Sequence, residues 1–155
     1  IQLDFQMPQR FDLEYTAEDG NKKRPIMIHR VCFGSIERFI GILIEHFAGA
    51  FPLWLAPEQV RILPISERHH EKAREIYQQL FNAGMRVEID ERSEKIGYKI
   101  REAQLQKIPY MLIIGDKEAE SGTVSVRMRG EGDIGAMAVD DFLARALLEV
   151  AEKKR

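Results

Sequence analysis

Arg38 is the residue whose position most needs a chemical explanation. It sits in the run Met27 to Glu45, where an extended segment meets a Gly34-Ser35 break and an amphipathic helix opens with Glu37-Arg38 in its first turn. The first turn of a helix carries unpaired N–H groups and a partial positive charge, so it favours anions. A cation there is disfavoured unless it serves an anion held at the same place, as at many phosphate sites. A guanidinium fork suits phosphate oxygens. The alternative is a plain surface pair between Glu37 and Arg38, worth under ~1 kcal/mol. On residue types alone the two readings stand level.

Other chemistry-bearing residues read more blandly. His29 with Cys32 three residues on offers two metal-ligand types, but a catalytic zinc takes about three protein ligands. Spacing therefore favours a buried structural histidine. His69-His70-Glu71 reads as a solvated helix start, because adjacent helical residues point about 100° apart and cannot easily share a metal. His46 reads as surface. The segment Gly115-Asp116-Lys117-Glu118-Ala119-Glu120-Ser121-Gly122 follows an apolar strand, where α/β sheets gather ligands; it reads as a polar loop and lacks the ending of a phosphate-binding P-loop. Arg127 and Arg129, with Lys95, Lys99 and Arg101, suggest a basic surface. Arginine can bind base edges bidentately, and a carboxylate such as Glu118 can accept from base amino groups. A solvated sheet face is the competing reading. No Ser-His-Asp, Cys-His or paired-carboxylate arrangement is legible.

The elements that would position these residues fall in two parts. Residues 1–30 read as two strand-like segments around the turn Glu18-Asp19-Gly20-Asn21. A helix from about Ser35 to Gly49 carries Ile36, Phe39, Ile40, Leu43 and Phe47 at helical spacing. Phe51 to Pro57 has two prolines and a tryptophan that reads as buried, and marks a boundary. Strands and helices then alternate. A strand spans Gln59 to Ile65. Ser66 is placed to cap a helix bearing Ala73, Ile76, Tyr77, Leu80 and Phe81, stopped by Gly84. Met85 to Ile89 is a strand, and Ser93 is placed to cap a helix bearing Ile96, Ile100 and Ala103. Tyr110 to Ile114 is a continuous apolar run, hence a central strand. Val124, Val126 and Met128 mark a half-exposed strand, and Asp140 is placed to cap a last helix. This order predicts a mixed sheet flanked by helices.

Composition bounds the rest. The 155 residues are 45% hydrophobic and 31% charged, with net charge −2, so any nucleic-acid site must be a local patch. No stretch is long and apolar enough to span a membrane, and no signal peptide is evident. One cysteine excludes an internal disulfide and fits a reducing compartment. The chain opens at Ile1 inside an alternating segment, which suggests truncation, processing or a further upstream part.

Several of these segments together resemble a known family. His29-Arg30 and Gly34-Ser35-Ile36-Glu37-Arg38-Phe39-Ile40 resemble motif 3 of class II aminoacyl-tRNA synthetases, in the form found in the threonyl-tRNA synthetase family. Pro52-Leu53-Trp54-Leu55-Ala56-Pro57-Glu58-Gln59-Val60 resembles that family's junction with its anticodon-binding domain. Arg92 to Glu102, Ile108-Pro109-Tyr110-Met111 and Gly115-Asp116-Lys117-Glu118 resemble that domain, so the likeness covers essentially the whole chain. It implies a fragment of the antiparallel catalytic domain over residues 1–52. An α/β anticodon-binding domain follows over 53–155, with a mixed, about five-stranded sheet flanked by helices.

The resemblance also implies roles. Arg38 matches the arginine that binds the ATP γ-phosphate, and Gln2 and Ser35 match residues lining the substrate pocket. His29 matches one of three zinc ligands in the threonine pocket. Such a metal explains how threonine is told from isosteric valine, since a site built around a hydroxyl rejects the analogue lacking it. Glu118 and Arg127 match anticodon readers. Ser93 and Lys95 fall in the same anticodon-binding region, although Ser93 stands where related enzymes carry an asparagine. The family's other zinc ligands, motif 1, motif 2 and the editing region lie upstream and are absent from this sequence, and Cys32 does not match the family's cysteine ligand. The expectation is the C-terminal third of a cytoplasmic, homodimeric threonine–tRNA ligase that uses threonine, ATP with Mg2+, Zn2+ and tRNA-Thr. This chain alone would bind no cofactor, would not aminoacylate, and would expose apolar surface over residues 1–50. Rival readings are a non-enzymatic accessory module reusing the anticodon-binding fold, or a small-molecule domain using the Gly115–Gly122 segment.

Overall fold

The structure is a computed structural model and describes residues 1–154. It contains two compact units, Ile1–Ile42 and a second from Leu43 onward.

The first unit holds β1 (Gln2–Asp4), α1 (Gln6–Arg10), β2 (Tyr15–Thr16), β3 (Lys22–Lys23), β4 (Met27–His29) and the start of α2 (Ile36–Phe47). Strands β1 and β4 pair antiparallel with Leu3 opposite Ile28, and β2 and β3 form a separate hairpin. Two strand-like segments were expected here; α1 intervenes. Its start is held by Asp4, whose carboxylate accepts N–H bonds from Gln6 at 2.8 Å and Met7 at 3.0 Å. A two-stranded ribbon cannot cover many apolar side chains. Ile1, Leu3, Phe5, Ile28 and Phe33 accordingly remain exposed, as do Ile36 and Ile40 of the expected α2 stripe.

The second unit is built on a five-stranded sheet. Its elements are β5 (Val60–Pro64), α3 (His70–Asn82), β6 (Val87–Ile89), α4 (Ile96–Leu105), β7 (Tyr110–Ile114), α5 (Asp116–Ser121), β8 (Thr123–Met128), β9 (Gly132–Ala138) and α6 (Val139–Ala151). The strand order is β6-β5-β7-β8-β9. Strand β5 is parallel to both β6 and β7, whereas β7, β8 and β9 are antiparallel to one another. Alternation along β7 sends Tyr110, Leu112 and Ile114 to one face, where they pack with Ile76 and Leu80 of α3 and Phe142 and Ala146 of α6. Met111 goes to the other face, with Leu63 and with Ala103 of α4. The mixed sheet flanked by helices agrees with the expectation.

Local details differ from the sequence reading. Ser66 does not cap α3; it stands at the start of a short 3-10 turn, Glu67–His69, that precedes α3, and makes no side-chain capping bond. Ser93 lies in the loop before α4, whose N-cap is Lys95. Ala138, not Asp140, precedes α6; Asp140 accepts a bond from Gln79 Nε2 at 2.5 Å. The Gly115–Gly122 segment is the helix α5, not a loop, closed by Gly122 in the left-handed conformation at φ 68°. Trp54 is half-buried rather than buried.

Lys99 contradicts its expected place on a basic surface. It is 2% exposed, and its Nζ donates to the carbonyls of Pro64 at 3.1 Å and Asp90 at 2.8 Å. The lysine stem thus carries an ammonium to the carboxyl ends of β5 and β6, where it satisfies two strand-end carbonyls; burial lowers its pKa. Arg129 is likewise committed, donating to the carbonyls of Lys107 at 2.6 Å and Phe51 at 2.7 Å. Replacing Lys99 by Met keeps the bulk but strips both carbonyls of their donor. We expect a loss of about 2–3 kcal/mol, read from urea unfolding.

Asp90 gives a pH signature. Two bonds from the Arg92 side chain hold its carboxyl below the usual carboxylate range, against the upward push of burial. Its folded pKa therefore lies below the unfolded value of about 3.9. The stabilisation is present above that value and is lost as pH falls through the folded pKa. Urea midpoints of the wild type should fall with acidification over that window, and Asp90→Asn should be less stable at neutral pH with a shallower acid slope.

Candidate nucleic-acid interface

The carboxyl ends of the parallel strands frame a cleft of about 690 Å³. One wall follows β5 (Ile65, Ser66, Arg68); the other is the loop after β6, with Ser93 and Lys95, and Lys99 lies among the lining residues. Ser93 and Lys95 are exposed. Arg92 is not a free cation: it is bonded to Asp90 at 2.6 Å and paired with Glu102. Open sheets collect ligands at such strand ends because the loops diverge there.

Glu118 belongs to the same end of the sheet. Strand β7 ends at Ile114, Gly115 turns the chain, and Glu118 is the third residue of α5. Its Oε2 accepts the Gly115 N–H at 3.0 Å, one half of a capping box. Among the described residues, Oε1 has no hydrogen-bond partner, so the carboxylate keeps acceptor capacity. A Cβ at Gly115 would lie 2.9 Å from Ile65 Cδ1 and 3.0 Å from Glu118 Oε2, so both side-chain ends would have to shift.

Arg127 stands elsewhere. It lies on β8 opposite Met111, near the start of β7, whereas Glu118 follows the end of that strand. The two are not brought together. A bulge between Val126 and Arg127 breaks the β8–β9 ladder and leaves Asp133 opposite Arg127. That carboxylate is 3.8 Å from Nη1, beyond hydrogen-bond range. Among the described residues the buried Nε has no partner, an orphan donor of the kind that usually finds one. Arg127 lines a second hollow of about 450 Å³ with Gln104, Ile108 and Gly130. Four of the five residues expected on one basic surface do not share it: Lys99 and Arg129 are consumed internally, and Lys95 and Arg127 line different hollows.

In the first unit, Gln2 pairs with His29 across β1 and β4, and both line one hollow of about 680 Å³. His29 is exposed, not buried as its spacing suggested, and its Nε2 is 2.9 Å from Asp4 Oδ2. Ser35 caps α2: its Oγ accepts the Arg38 N–H at 3.3 Å and donates to Glu37 at 2.6 Å. Glu37 thus takes the serine hydroxyl rather than Arg38, whose guanidinium has no partner among the described residues. No group of three or more His, Cys, Asp or Glu side chains able to hold a metal occurs among the described residues. The residues present do not fit a complete zinc site, and His29 could supply one ligand.

Sequence reasoning missed His69 and Asp116. His69 is 3% exposed rather than solvated. Its ring nitrogens lie 3.2 Å from Ser66 Oγ and 2.9 Å from Asp116 Oδ1, a Ser-His-Asp chain that only folding assembles. Ser66 at i−3 was the one local signal.

Comparison with known proteins agrees with this architecture. The family described as anticodon binding domain matches residues 59–148, and the class II tRNA synthetase core domain (G, H, P, S and T) matches residues 1–47. A threonine–tRNA ligase of Caldanaerobacter subterraneus subsp. tengcongensis is 67% identical over 153 residues, covering 99% of this chain and 24% of the relative. That of Carboxydothermus hydrogenoformans is 65% identical over 154 residues, with the same coverage. The chain thus spans about a quarter of the length of these curated relatives, less than the third expected. The crystal structure of the RNA binding domain of threonyl-tRNA synthetase from Cryptosporidium parvum Iowa II superposes with a TM-score of 0.71 at 38% identity, over 96% of this chain and 38% of that one. With the sheet order, the cleft and a family match over more than half its length in agreement, the chain belongs to the anticodon-binding domain family.

Proposed function

We propose that this chain is the tRNA-binding module of a threonine–tRNA ligase, residues 53–155 forming the module and residues 1–52 the end of the catalytic domain. The observation that carries this reading is the likeness to threonine–tRNA ligases over 99% of the chain. The site chemistry supports it. Anticodon bases are read when unstacked, through hydrogen bonds to their edges. Glu118 offers a carboxylate oxygen to base amino groups, Arg127 a guanidinium to base acceptors, and Lys95 with Ser93 a cationic, hydroxyl-bearing rim for the backbone. In the longer protein, a cytoplasmic homodimer, Arg38 holds the γ-phosphate of ATP bound with Mg2+. Gln2 and Ser35 line the threonine pocket, and His29 contributes one zinc ligand. Without the upstream motifs this chain binds tRNA-Thr and does not aminoacylate it.

The test is a titration with the anticodon stem-loop of tRNA-Thr at low salt. Binding is expected, weakened roughly tenfold or more by Glu118→Ala or by Arg127→Ala, since one good polar base contact is worth about 1–3 kcal/mol. Lys95→Ala should reduce the salt dependence by about 0.7–0.9 in log–log slope. Absence of binding, or two silent substitutions at Glu118 and Arg127, would overturn the reading.

Gly115→Ala gives an independent check. The new methyl group meets only the ends of two flexible side chains, so the urea midpoint should barely move. Glu118 must swing away, and stem-loop affinity should drop as it does in Glu118→Ala.

A further inference from the structure

His69 occupies a place that its local sequence does not explain. It is buried where the turn Glu67–His69 passes into α3, and both ring nitrogens are engaged, Nδ1 by Ser66 and Nε2 by Asp116. The bond from His69 holds the Asp116 carboxyl below its usual range. An ionised carboxylate only accepts, so Nε2 carries a proton and donates to Asp116, while Nδ1 lies within reach of the Ser66 hydroxyl. The His69 side chain therefore joins the loop after β5 to the first residue of α5, 47 positions away. Asp116 also accepts from Arg68 at 2.6 Å, but both of those side chains are more than half exposed, where such pairs contribute little.

The other end of the connection matters because α5 is six residues long. So short a helix has no stability of its own. Its start is gripped by the Gly115 carbonyl, which accepts from Ala119 at 3.0 Å, by the Glu118 cap on the Gly115 N–H, and by the part-buried bond from His69 to Asp116. Glu118 lies two residues beyond that bond.

We propose that His69 is a positioning residue for RNA binding: acting through Asp116, it sets the start of α5 and so the place of the Glu118 carboxylate. This rests on the reading of Glu118 as an anticodon contact. The chemistry separates the required atom from mere bulk. Glutamine at 69 puts an N–H2 near the position of Nε2 and can still donate to Asp116, while leucine fills the space and donates nothing.

The experiment titrates the tRNA-Thr anticodon stem-loop into the full chain as wild type, H69L, H69Q, E118A and H69L/E118A, with urea midpoints measured in parallel. H69L should weaken binding roughly fivefold or more, H69Q should stay close to wild type, and H69L should add no loss in the E118A background. Wild-type affinity in H69L, loss in H69Q equal to that in H69L, or full additivity with E118A would overturn the proposal. Wild-type affinity in E118A would instead overturn the reading of Glu118. Should H69L fail to fold, Asp116→Ala, at a side chain 57% exposed, replaces it in the same cycle with the same expected non-additivity.

Discussion

Strand β7 must be covered on both faces, and most of the second unit follows from that. Its five residues carry large side chains alternately up and down, four of the five fully buried. One face needs two helices and the other needs one. Supplying them requires parallel β5 and β6 with α3 and α4 as crossovers on opposite sides of the sheet. The antiparallel β8–β9 hairpin then needs only α6 to close the first face. The second face of β8 is left half-open, with Ser125 and Arg127 on it.

Because the middle of the sheet is apolar, its polar work is displaced to the strand ends. At the carboxyl ends the backbone carbonyls run out of ladder partners, and Lys99 serves two of them from beneath the cleft. At the other end Arg129 serves carbonyls of Phe51 and Lys107. Both are cations that a reading of charge alone places in solvent. A long aliphatic stem lets each cross an apolar layer while its head group meets carbonyl oxygens. Of the cations lining the two hollows, Lys95 at one end and Arg127 at the other are available to a polyanion, whereas Arg68 is paired with Asp116 and Arg92 with Asp90 and Glu102.

The first unit shows the converse case. Its elements form, and its caps are satisfied by Asp4 and Ser35, yet its apolar residues find little to pack against within Ile1–Ile42. Helical spacing in α2 correctly signalled a helix and an apolar stripe. It could not say whether that stripe is covered, because coverage depends on partners distant in sequence.

Long apolar periods were legible: the run Tyr110 to Ile114, the stripes of α3 and α6, the alternation of β8. Burial drives these, and burial is encoded in side-chain type along a single element. The resemblance carried the family and the named candidates Arg38, His29, Glu118 and Arg127, because such motifs are local strings. Short elements were not legible. Helix α5 has Ala119 as its only apolar residue and no period to detect, and the 3-10 turn at Glu67–His69 looks like a helix start. The joining of Ser66, His69 and Asp116, the burial of Lys99 and the separation of Arg127 from Glu118 depend on which strand lies beside which. By itself the sequence determined the long, periodic helices and strands and which family they resemble. Only the tertiary structure decided which polar groups are spent inside the fold and which are left for a ligand, since a hydrogen bond between residues 47 apart exists only once the sheet has brought their strand ends side by side.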